Sequence, residues 1–110
     1  MYTVPQKKAR LRNDIQQAFK DPDYLTWLHE DKKPVCFSCG ECNGIELHHI
    51  KEASSDKKDD RLVIPLCGVK CHRLGTELSA HGTPSKFRNI YPIPLQKEYA
   101  KDLYQEYNNK

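Results

Sequence analysis

The chain has 110 residues, of which 37% are hydrophobic and 30% charged, with a net charge of +3. That length allows one domain around a thin apolar core, and such a fold calls for a staple beyond hydrophobic burial. No apolar run is long enough to form a membrane-spanning helix.

The opening stretch, MYTVPQKKARLRND, carries no secretory signal, so the expected location is the cytoplasm. Thiols stay reduced there, and cysteine pairs serve metals rather than disulfides. Lys7, Lys8, Arg10, Arg12 and Lys20 face Asp14 alone in residues 1–20, an excess that suits a phosphate-bearing partner or a merely solvated leader. In ARLRNDIQQAFK, residues 9–20, the residues Leu11, Ile15, Ala18 and Phe19 fall on one stripe and predict a helix. Residues 1–20 therefore read as a basic arm or helix, and residues 21–110 as a single domain.

Asp21 is a plausible N-cap with Pro22 at the first helical position, so a second short helix is expected to run to about Glu30. Tyr24, Leu25, Trp27 and Leu28 supply its apolar contacts. CFSCGECNG is a turn-rich knuckle in which Gly40 and Gly44 are available for positive φ. GIELHHI and RLVIPL read as two strands joined by the polar loop KEASSDKKDD, with a helix starting around Cys67 to Cys71. Pro84, Pro92 and Pro94 predict an irregular stretch, and LQKEYAKDLYQEY places Leu95, Tyr99 and Leu103 on one stripe of a closing helix. The expected class is α+β.

Cys36-x2-Cys39 and Cys67-x3-Cys71 are two pairs with short zinc-ligand spacing, separated by a hairpin-sized insert. Two such pairs build a closed tetrahedral site, which is structural and couples metal binding to folding. Cys42, three residues beyond Cys39, is the spare.

A zinc ion satisfied by four cysteines leaves His48, His49, His72 and His81 to be explained. Imidazole serves both as a metal ligand and as a general base near neutral pH. A metal with nitrogen ligands beside a free imidazole is what phosphodiester hydrolysis requires. Neighbours in a regular strand point to opposite faces, so His48 and His49 belong at the strand's end, or else one of them is structural.

Taken together, CFSCG…ELHHI…DDRLVIPLCGVKCH resembles the HNH endonucleases, whose core is the ββα-metal (His-Me) finger, in the variety with a four-cysteine structural zinc. DPDYLTWLHEDKKPVCFSCG is similar to the Tyr-Leu-x-Trp lead-in of phage recombination-enhancement (Ref-type) nucleases, and HGTPSKFRNIY to their His-Gly…Phe…Tyr tail. The likeness covers residues 21–91 and implies a small zinc-stabilised ββα-metal domain, its core at about 44–82, with flanking N- and C-terminal helices.

Carried across, the resemblance implies that His49 is the general base, that Asp60 (or Asp59) orients it, and that His48 and His72 hold a catalytic divalent ion. His81 is the remaining ligand, with Glu77 an alternative. Nine residues part His72 from His81, about two and a half helical turns, so His81 joins only if the helix ends or bends first, which Gly75 and Gly82 permit. Structural zinc falls to Cys36, Cys39, Cys67 and Cys71, and Lys51, Lys57, Lys58 and Arg73 are candidate DNA contacts.

His48 stands where the commonest family pattern has Asp. The resulting nitrogen-rich site suits Mn, Ni, Zn or Co better than Mg. The implied function is a phage or prophage DNA endonuclease leaving 5′-phosphate and 3′-hydroxyl ends, acting on single- or double-stranded DNA, with the arm available to a recombinase filament. Two other classes fit the same sequence: a zinc-stabilised nucleic-acid-binding module without cleavage, and a protein-interaction adaptor using Tyr99, Tyr104 and Tyr107.

Overall fold

The computed structural model describes residues 15–42, 44–73 and 78–110. Lys7, Lys8, Arg10, Leu11, Arg12, Gly75 and Glu77 lie outside them. The architecture is a small α+β arrangement: a two-stranded antiparallel sheet with helical segments around it.

Residues 15–20 are extended rather than helical. The Gln16 side chain donates to the carbonyls of Lys57 at 2.7 Å and Ile50 at 3.3 Å. Phe19 N–H donates to Lys58 O, and Phe19 O accepts from Asp60 N–H. The Arg61 guanidinium lies 3.8 Å over the Phe19 ring while its nitrogens donate to Asp59. These backbone pairings with the 56–60 loop outcompete the helical stripe.

α1 (Pro22–Thr26) starts where its cap predicts, with the Asp21 side chain accepting Tyr24 N–H at 3.2 Å. It widens into a π-helical turn, Trp27–Lys32, that stops at Lys33 in the left-handed region at φ 48°. Tyr24 and Leu28 from this element pack with Val63 and Leu103 in one apolar cluster. Tyr24 meets Tyr104 edge to face at 4.7 Å.

β1 (Ile45–His49) and β2 (Val63–Cys67) pair in a register running from Ile45 opposite Cys67 to His49 opposite Val63. All five β2 residues are buried. Val63 joins the Tyr24 cluster, whereas Ile64 and Leu66 join a second one with Ile50, Phe87, Ala100 and three of the cysteines. The thiols are thus part of the core. The intervening loop is organised by Asp56, whose carboxylate accepts N–H groups of Gln16, Glu52 and Ala53.

β2 runs directly into a second π-helical turn, Gly68–Arg73. Beyond it the chain returns alongside: Ala80 N–H donates to Cys71 O at 2.9 Å, and His81 N–H to His72 O at 2.8 Å. A turn built on Ser79 and Thr83 follows, in which Gly82 N–H donates to Ser79 Oγ. α2 (Pro84–Ile90) then occupies sequence expected to be irregular, because Pro84 sits in the first turn, where no N–H is needed.

α3 (Ile93–Asn108) closes the fold across β2. Its inward face is turned from the expected stripe. Gln96, Ala100 and Leu103 are buried and Leu95 is 46% exposed. Gln96 is satisfied there by donating to Tyr91 O at 2.7 Å. Among the described residues no helix is long and apolar enough to cross a membrane.

Candidate functional site

Cys36 and Cys39 come from the knuckle before β1, Cys67 ends β2, and Cys71 lies one turn on. The four sulfurs all lie within 4.8 Å of one another, and Cys39 Sγ is 3.7 Å from Cys67 Sγ. Thiolates sharing one tetrahedral zinc at about 2.3 Å stand about 3.8 Å apart, so these side chains fit a structural metal such as zinc. Burial works against the Cys36 thiolate, yet N–H donors around its sulfur, Cys39's among them, outweigh it and bring the thiol down to about 7. Burial and the crowding of neighbouring sulfurs push Cys71 up, and burial raises Cys67. A cation bound among the four sulfurs would offset this crowding and favour their thiolate forms. The inserted residue of Cys67-x3-Cys71 is absorbed by the wide π-type turn. Cys42 is exposed and outside the group.

The imidazoles of His48, His72 and His81 form a second group, their ligand atoms likewise within 4.8 Å of one another. Ring centroids are 5.1 Å apart for His48 with either partner and 4.7 Å for His72 with His81. Three separate pieces of chain deliver them: β1, the π-helical turn, and the segment that returns beside that turn. The helical segment ends before His81, which is how residues nine apart come together. Burial, then repulsion from His72 and His81, brings His48 down to about 3, and burial lowers His81. Neutral imidazole is the form that ligates a metal.

His49 is the last residue of β1, and its Nε2 lies 2.8 Å from Asp60 Oδ1. Asp60 is 8% exposed, and its Oδ2 accepts Asp21 N–H at 2.8 Å. Asp59 is instead engaged by Arg61. His48 and His49, although neighbours on a strand, line the same cleft of about 570 Å³ together with His72 and His81. Lys51 and Lys58 line it too, as does Arg88, a cation the sequence did not single out. Arg88 donates to Lys51 O at 3.0 Å. Lys57 is exposed outside the cleft, and Arg73 is held by Glu46 at 3.1 Å and by Gly68 O.

Sequence reasoning also passed over Glu46. Its Oε1 accepts from His72 Nδ1 at 2.8 Å, a bond that, with Arg73 beside it, holds the carboxyl below its usual range. The available signal was strand alternation, since Glu46 is two residues before His48 and shares its face.

Compared with known proteins, the chain matches no family model, no curated protein and no solved structure.

Proposed function

We propose that this chain is a metal-dependent endonuclease of the HNH type, hydrolysing phosphodiester bonds in DNA. One observation carries the reading: three clustered imidazoles, His48, His72 and His81, and a carboxylate-held fourth, His49, line one cleft. The hairpin-then-helical-turn order around them, β1, β2 and Gly68–Arg73, is in keeping with a ββα-metal core braced by zinc on Cys36, Cys39, Cys67 and Cys71.

His48, His72 and His81 would hold a divalent ion, which when bound offsets negative charge on the scissile phosphate and the leaving oxygen. With no carboxylate among these ligands, Mn, Ni, Co or Zn is favoured over Mg. Asp60 holds His49 through Nε2, which leaves Nδ1 free to take a proton from water. The water oxygen then attacks phosphorus, the P–O3′ bond breaks, and the departing oxygen acquires a proton as a 3′-hydroxyl. Lys51, Lys58 and Arg88 on the cleft wall supply positive charge toward the backbone phosphates.

The test is incubation of zinc-loaded protein with supercoiled plasmid and single-stranded circles, with Mn, Ni, Co, Mg or no added ion. Nicking that depends on added ion and disappears in His72→Ala supports the reading. DNA retention that falls with salt, without any cleavage, would mark a binding module instead.

A further inference from the structure

Glu46 is a charged residue on a strand face otherwise occupied by the metal-site histidine His48, and both of its oxygens are committed. Oε1 accepts from His72 Nδ1 at 2.8 Å, and Oε2 meets Arg73 at 3.1 Å. Arg73 is in turn fixed by donating from Nε to Gly68 O. The place Glu46 occupies depends on Gly68, because a Cβ built there would stand 2.8 Å from the Glu46 carboxyl carbon and 2.9 Å from its Oε2. Any larger residue at 68 would displace the carboxylate. Gly68 is therefore explained by space rather than by backbone conformation.

We infer that Glu46 is a positioning residue for the metal site: it fixes His72 in the tautomer that carries its proton on Nδ1 and presents Nε2 to the ion. The inference rests on the three-histidine site proposed above. A neutral His72 free to choose its tautomer would divide between two forms, only one of which ligates through Nε2 from this ring orientation. The carboxylate removes that choice and makes the imidazole a better donor. Arg73 stops the carboxylate from rotating away, and Gly68 leaves room for it. Three residues from one strand and the turn it faces thus aim a single ligand. Arg73, one of the sequence's candidates for DNA contact, is assigned here to holding Glu46.

Co²⁺ titration of protein carrying zinc at its cysteines reads this directly, because cobalt on nitrogen ligands absorbs differently from cobalt on thiolates. Wild type is compared with Glu46→Gln, which keeps size and an acceptor oxygen but loses charge, and with Gly68→Ala, which leaves Glu46 chemically intact. Both variants should bind cobalt roughly 10- to 100-fold more weakly. Their zinc content should be unchanged, and the double variant should be no weaker than the weaker single one. In ¹⁵N spectra His72 should hold one tautomer in wild type and mix two in Glu46→Gln. Equal cobalt affinity and an unchanged tautomer in Glu46→Gln would overturn the positioning role while leaving the metal site standing. A wild type that takes no cobalt on nitrogen would overturn the site itself, and this role with it.

Discussion

His49 Nε2 and Asp60 Oδ1 are 2.8 Å apart, and the second oxygen of Asp60 accepts the Asp21 N–H. One carboxylate therefore ties the end of β1 to the cap of α1. Asp60→Asn keeps the shape of this link but removes its charge and leaves the tautomer of His49 unspecified. Cleavage should fall through kcat with KM little changed, whereas Asp60→Ala should in addition lose about 1–3 kcal/mol of stability from the orphaned Asp21 N–H. Steady-state kinetics beside thermal melts separate the two effects.

The cysteine group predicts one zinc per chain and a fold that does not survive its loss. Structural zinc sites are worth about 10–16 kcal/mol, as much as the whole stability of a typical domain at about 5–15 kcal/mol. A strong chelator, Cys36→Ser or Cys67→Ser should each abolish the cooperative melt. Cys42→Ser should leave zinc content and melting temperature as they are, since Cys42 stands outside the group.

Tyr24 makes a sharper test of the packing. It is fully buried among Trp27, Tyr104 and Tyr107, yet among the described residues its hydroxyl has no hydrogen-bond partner. Burial is also the main reason its hydroxyl resists ionisation. Tyr24→Phe removes an unrepaid desolvation cost and should be neutral or stabilising by about 1 kcal/mol, while Tyr24→Ala should cost about 3–5 kcal/mol. Denaturant midpoints at constant m-value report both.

His48 gives the pH dependence its sign. Burial and the neighbouring imidazoles hold it down to about 3 in the folded chain, against an ordinary 6.5 when unfolded. The unfolded chain thus takes up the proton first as pH falls. Stability from this group is full above 6.5 and is lost as pH drops from there toward 3. With no ion beyond the cysteine-held zinc, wild type should lose about 2 kcal/mol relative to His48→Gln between pH 7 and pH 5. Melts of the two proteins at both pH values measure it.

What the sequence makes legible follows from how local each signal is. Asp21-Pro22 is a cap decided within four residues, and it holds in the structure. The alternation of GIELHHI and the apolar run RLVIPL specify the two strands within a residue or two, and the cysteine spacing specifies the thiol group. The helix over 9–20 fails in its described part because Phe19 pairs with a loop forty residues away, which no window of neighbours reveals. Pro84 suits a break in the chain and the first turn of a helix equally well, so the three prolines do not reveal α2. The α3 face is shifted because Gln96 finds a buried acceptor in Tyr91 O, and burial of a polar residue defeats a stripe drawn from apolar ones. His81 reaches His72 through the pairing of Ala80 and His81 N–H with the carbonyls of Cys71 and His72, nine residues back, rather than along a continuous helix. Glu46 matters only once His72 is known to face it.

The proposed role of His49 as the base of a metal-dependent phosphodiester hydrolase calls for single-turnover cleavage of plasmid DNA by wild type and His49→Ala, in Mn, Ni or Co. Zinc content and cobalt uptake at the histidines are measured on the same samples. Wild type should cut, leaving 3′-hydroxyl ends, and His49→Ala should keep both metals but be slower by roughly 10²- to 10⁴-fold. Cleavage by His49→Ala at the wild-type rate, or no cleavage by a wild type carrying both metals, would rule out that role.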